Sequence, residues 1–126
     1  MGLDDYKRKI VYQYKSPDPD DLKEMPEEVR QSIDNAIYEM ETSFTKSNYT
    51  DPVEGYRKYI NPISFVDYFL TTEFTLNIDG YRLSTHMYKY SETRARKEGL
   101  NHRWQTTLCD FNIAYGNDSF YGDNVN

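Results

Sequence analysis

Two aspartates and one amide carry the chemistry that this sequence can offer. Asp79 lies in Asn77-Ile78-Asp79-Gly80-Tyr81-Arg82-Leu83-Ser84, directly after an apolar run. Asp110 lies in Cys109-Asp110-Phe111-Asn112-Ile113-Ala114-Tyr115-Gly116-Asn117. Asp is disfavoured in a mostly apolar strand, so Asp110 beside Phe111, Ile113 and Tyr115 reads as an aligned, partly buried group. On an extended segment Asp110 and Asn112 project from one face, being two residues apart. A carboxylate and an amide oxygen together are hard ligands suited to Mg²⁺. Asp79 is expected at the C-terminal end of a helix, where a negative charge meets the unfavourable end of the dipole. A metal or substrate would compensate it there. With Gly80 next in the chain, Asp79 also serves simply to end the helix and turn the backbone.

Two helices and a hairpin must hold these groups. Residues 26–45 give a helix with Pro26 in its first turn and Glu27 and Glu28 complementing the dipole. Val29, Ile33, Ile37, Met40 and Phe44 fall on one face of it. Residues 62–76 give a second helix, with Asn61 as N-cap and Pro62 at its first position. Its polar face is narrow, so it is expected to be largely buried, with Asp67 and Glu73 as the carboxylates needing partners. Phe65, Phe69, Leu70 and Phe74, with Ile33 and Ile37, are the expected core. Residues 81–90 and 102–111 alternate and read as two antiparallel strands, joined by a solvated excursion over 91–101 that ends near Gly99. That pairing would bring Asp79 and Asp110 to one end of the hairpin. The fold class is therefore α+β. Residues 1–19 read as an N-terminal arm, broken by Pro17 and Pro19, 20–117 as the folded part, and 118–126 as a loose tail.

Composition narrows the function. The chain has 126 residues, one domain or less, with 13 Tyr, 6 Phe and 1 Trp. Tyrosine suits half-wet grooves and interfaces. A formal charge of −6 argues against nucleic acid as a partner. The single cysteine, Cys109, allows no internal disulfide and reads as a small core residue. No apolar run reaches the roughly 20 residues of a membrane span, and residues 1–6 show no signal-peptide core. There is no phosphate-cradling Gly-rich loop. His86 and His102 lack a cysteine cluster, so a structural zinc site is not expected.

Several stretches together resemble the C-terminal part of the bacterial spore-coat protein H (CotH) kinase-like family. They are Tyr56-Arg57-Lys58-Tyr59-Ile60, Ser64-Phe65-Val66-Asp67-Tyr68-Phe69-Leu70, the Asp79 segment 77–84 and the Asp110 segment 110–117. The resemblance implies a C-lobe-like fragment of an atypical protein-kinase-like fold. It implies ATP- and Mg²⁺- (or Mn²⁺-) dependent phosphoryl transfer to Ser or Thr of a protein, in an exported or cell-surface bacterial setting. Asp79 would be the catalytic-loop aspartate and Asp110 a metal ligand, with Asn112 where many members carry a second Asp. Ser84 stands where Asn is frequent, and Cys109 where Trp is usual. The nucleotide-gripping half, with its lysine and acidic partner, would be the N-terminal half of the same parent chain. This fragment is then expected to be inactive alone. The alternative is a non-catalytic surface module that binds a protein or glycan through its tyrosines.

Overall fold

The computed structural model describes residues 12–81 and 83–117. The tail 118–126, the first part of the expected arm (1–11) and Arg82 lie outside the described residues. The chain forms two compact units, one reaching to Tyr56 and one starting at Arg57.

The first unit holds α1 (Pro19–Glu24) and α2 (Glu27–Ser43). Helix α1 forms where the prolines suggested a break. The Asp18 side chain accepts from the amides of Asp20 and Asp21 at 2.8 and 2.9 Å, and Pro19 sits where no amide is needed. Helix α2 is the expected amphipathic helix, and it buries Met40 and Ser43. Its expected core members Ile33 and Ile37 are only half-buried. Tyr12 donates to Glu41 Oε1 at 3.0 Å, and Phe44 stacks on Tyr56 with ring centres 6.1 Å apart. Asp51 closes the connector turn by accepting from the amides of Val53 and Glu54.

The second unit holds α3 (Pro62–Thr75), β1 (His86–Tyr88), α4 (Glu92–Glu98) and β2 (Gln105–Thr107). The strands pair antiparallel, with Met87 opposite Thr106, so the expected α+β hairpin is present. Each strand is three residues long rather than the ten of 81–90 and 102–111. The excursion between them is exposed, as expected, but helical. Ser91 caps α4 by accepting from the Arg94 amide, the pair Arg94–Glu98 lies along its side, and Gly99 closes it at φ 66°.

Helix α3 seats on β2 through polar contacts. Thr106 Oγ1 donates to the Ser64 carbonyl at 2.7 Å, and the Thr106 amide donates to Ser64 Oγ at 3.3 Å. The amides of Asn61 and Trp104 extend this seam, reaching the carbonyls of Trp104 and Tyr59, each at 2.8 Å. The buried side of α3 is Tyr68, Thr72 and Thr75. This corrects the expected core: Phe69, Leu70 and Phe74 are exposed and Phe65 is only half-buried. Asp67 and Glu73 are exposed as well, so neither is a buried carboxylate. Cys109 is exposed rather than packed in the core. On the inward face the hydroxyls of Tyr68 and Thr75 find partners, while Thr72 Oγ1 is buried without one.

Candidate active site

Helix α3 ends at Leu76, which takes the left-handed conformation at φ 51° and donates its amide to the carbonyls of Glu73 and Thr72. A left-handed leucine costs about 1 kcal/mol, and here it redirects the chain sharply. Asn77 follows, buried, with its amide on the Thr72 carbonyl at 3.1 Å. Asp79 therefore sits in a turn three residues beyond the helix cap, half-buried, rather than on the helix end. Gly80 is required there for room. A Cβ at this position would lie 2.3 Å from Thr72 Cγ2 and 3.0 Å from the Asn77 carbonyl.

Tyr68 pins the segment that follows. Its buried hydroxyl lies 3.3 Å from the Ser84 carbonyl, to which it donates, and 3.1 Å from Thr85 Oγ1. The Tyr81 amide donates to it at 3.4 Å. Loss of solvent and the Glu73 carboxylate, to which the Tyr81 hydroxyl donates at 3.0 Å, push the Tyr81 phenol above its ordinary pKa. The segment around Tyr81, Ser84 and Thr85 is thus held from inside α3 as well as by its own turn bonds to the Asp79 carbonyl.

Asp110 is exposed and lies beyond β2, with φ 58°. It does not sit on a strand face. Asn112 is exposed in the next turn, and its carbonyl accepts from Asn117 Nδ2 at 2.6 Å. The expected same-face projection of Asp110 and Asn112 is corrected accordingly, because the ladder ends at Thr107 and the backbone reverses. The Tyr115 amide donates to the Thr75 carbonyl at 2.6 Å, so the 110–117 segment folds back onto the C-terminal end of α3.

Two residues join the aspartates. The Ser84 amide donates to the Asp79 carbonyl at 3.1 Å, while Ser84 Oγ donates to Asp110 Oδ2 at 3.3 Å. Asn77 Nδ2 donates to the Asp110 carbonyl at 3.4 Å, and the Asn77 carbonyl accepts from the Gly80 amide at 3.0 Å. Ser84 and Asn77 are both about 5% exposed. Asp79 and Asp110 are therefore parts of one hydrogen-bonded network. Asn77 was absent from the sequence-derived site. The available signal was a short amide just past a helix end, but nothing in the pattern marked it as buried.

A comparison with protein-family models matches residues 4–124 to the CotH kinase proteins. The chain belongs to the CotH kinase family. Comparisons with curated proteins and with solved structures give no match. The family assignment covers nearly the whole chain, so the Asp79–Ser84–Asp110 network lies within the CotH kinase region. A separate pocket of about 310 Å³, lined by Ser64, Asp67, Tyr68, Thr106, Thr107 and Leu108, includes neither aspartate.

The family resemblance carries the expectation of a divalent cation, and the residues present fit one in part. Among the described residues, no group of three or more His, Cys, Asp and Glu could hold a metal by itself. Mg²⁺, however, is commonly held by one or two carboxylates with substrate phosphates completing its shell. Asp110 is an exposed carboxylate, and Asn77 Oδ1, on the residue that holds the Asp110 carbonyl, is buried without a partner. The chemistry of these donors, a hard amide oxygen without a partner and an exposed carboxylate on a neighbouring segment, is of the type a hard cation takes.

Proposed function

We propose that this chain supplies the base and metal-ligand half of an ATP-dependent protein kinase centre acting on Ser or Thr hydroxyls. The observation that carries it is Ser84, which bonds the Asp79 backbone with its amide and the Asp110 carboxylate with its hydroxyl. In this reading Asp79 accepts the proton of the acceptor hydroxyl as that oxygen attacks the γ-phosphorus and ADP leaves. Asp110 would hold Mg²⁺ or Mn²⁺, with Asn112 nearby. The bound cation would neutralise charge on the phosphates. Ser84 and Asn77 keep Asp110 in place, since positioning is most of what phosphoryl transfer asks of a protein. The nucleotide-gripping half would come from the N-terminal part of the same parent chain, and the fragment would form part of a kinase-like C-lobe. The CotH resemblance supports this and an exported or cell-surface setting.

The test is titration with Mn²⁺, followed by paramagnetic broadening of backbone amide signals. Broadening centred on residues 77–84 and 110–112, and lost in Asp110→Ala, is expected. A second arm measures transfer from γ-labelled ATP in the parent protein, where Asp79→Ala should abolish labelling of the acceptor. Broadening spread over the acidic residues 18–28 instead would make the two aspartates structural. That outcome would favour the non-catalytic binding reading, for which the exposed side of α3 is the supporting observation.

A further inference from the structure

Helix α3 is inside out with respect to its own unit. Its buried residues Tyr68, Thr72 and Thr75 are 2 to 6% exposed and all carry hydroxyls. Ile63, Val66, Leu70 and Phe74 are 53 to 78% exposed. These four fall at i, i+3, i+7 and i+11, one continuous stripe at the helical period. Phe69 and Tyr81, 6.3 Å apart between ring centres, widen it on one side. Scattered exposed apolar residues are ordinary, but a contiguous apolar stripe marks an interaction surface.

The rim of the stripe says what would cover it. Asp67 follows Ile63 by four positions, and Glu73 follows Leu70 by three, so the two carboxylates flank the stripe on opposite sides. Both are exposed. Helix α3 contains no Lys, Arg or His in its fourteen residues. A second copy laid along this face would set acidic rim against acidic rim, with no cation on either helix to offset the repulsion. A partner with basic residues beside its apolar stripe would meet opposite charge on both sides.

We propose that the outer face of α3 is a docking face for an amphipathic helix that carries an apolar stripe flanked by Lys or Arg. Ile63, Val66, Leu70 and Phe74 supply the apolar contact, as in other helix-in-groove pairings. Asp67 and Glu73 select the basic rim and fix register. This surface is separate from the aspartate network and does not depend on the kinase reading.

The test uses the whole chain and two fluorescent peptides of about 20 residues, long enough to form a helix. Both carry Leu at i, i+3, i+7 and i+11. One has Lys and Arg flanking the stripe, and the other has Glu at the same places. Fluorescence anisotropy should show the basic peptide binding at least about tenfold more tightly, with the preference shrinking as salt rises. Leu70→Asp should abolish binding. Asp67→Lys, at an exposed position that leaves the fold intact, should cut the preference for the basic peptide by about fivefold. Equal binding of both peptides, or of neither, overturns the proposal. So does sedimentation of the chain as a dimer that Leu70→Asp converts to monomer, which would make a second copy the occupant.

Discussion

The Ser84 hydroxyl donates to Asp110 Oδ2 across 3.3 Å, bridging positions 26 residues apart in sequence. The same residue's amide reads the Asp79 carbonyl. One small buried residue, with Asn77 beside it in the same network, thus links the two acidic segments.

Removing that hydroxyl should be felt at the cation. Groups that orient a metal ligand typically change affinity by about 10- to 100-fold. Ser84→Ala is therefore expected to weaken Mn²⁺ binding by about tenfold. The amide broadening at 110–112 should fade at a given Mn²⁺ concentration, while circular dichroism stays unchanged. Unaltered broadening would show that Asp110 is positioned by its own backbone alone.

Tyr68 carries a larger structural share. Its hydroxyl is buried and meets the Ser84 carbonyl, Thr85 Oγ1 and the Tyr81 amide. Tyr68→Phe leaves the ring in place and strands these groups. Leaving buried polar groups unpaired costs about 1–3 kcal/mol. The urea midpoint should fall correspondingly with an unchanged m-value. Hydrogen exchange should quicken across 79–85 before it does elsewhere in the unit.

Much of this arrangement was legible in the residues. Helices α2 and α3 follow from their period and from the Pro–Glu and Asn–Pro starts, and the antiparallel hairpin follows from alternation. The segments holding Asp79 and Asp110, singled out in the sequence, are joined in the fold through Ser84. The side of α3 that turns inward was not legible. Hydrophobicity favoured Phe69, Leu70 and Phe74, but Tyr68, Thr72 and Thr75 turn inward, where Tyr68 meets the 79–85 loop, and Ser64 holds β2. A hydropathy pattern cannot tell a face that packs on the same unit from one left for another molecule. The strand assignment of Asp110 failed for a related reason. Alternation continued past Thr107, but β1 offers only three residues to pair with, so the ladder stops and Asp110 turns left-handed.

The first unit offers a pH test. Burial, then the hydrogen bond to Glu41, pushes the Tyr12 phenol from its ordinary 10.0 up to about 12. A group whose folded pKa is raised stabilises the fold fully below its unfolded pKa and loses that contribution as pH rises through the folded value. The contribution from Tyr12 should therefore be intact below pH 10 and disappear between 10 and about 12. Ultraviolet titration of phenolate absorbance, taken as the difference between the native chain and Tyr12→Phe, should show one tyrosine ionising late. A Tyr12 that titrates with the exposed tyrosines would mean that its contact with Glu41 does not persist in solution.

The final expectation concerns Phe74, which a reading of hydrophobicity alone would place at the centre of the core. Truncating a buried aromatic costs about 3–5 kcal/mol. Phe74 is 78% exposed, and its ring packs edge-on with Tyr115, with centres 6.4 Å apart. An aromatic pair of that kind is worth about 0.5–1.5 kcal/mol beyond burial, and less where solvent reaches both rings. Phe74→Ala should therefore lower the stability of the chain by no more than about 1 kcal/mol. Thr72→Val, on the buried side against Gly80, is the informative companion, because it changes the inner face while keeping its volume. If Phe74→Ala instead unfolds the chain, the apolar stripe is covered in solution and α3 faces the other way. If it is silent, the aromatic side of α3 is held in the sequence for contact with something other than its own unit.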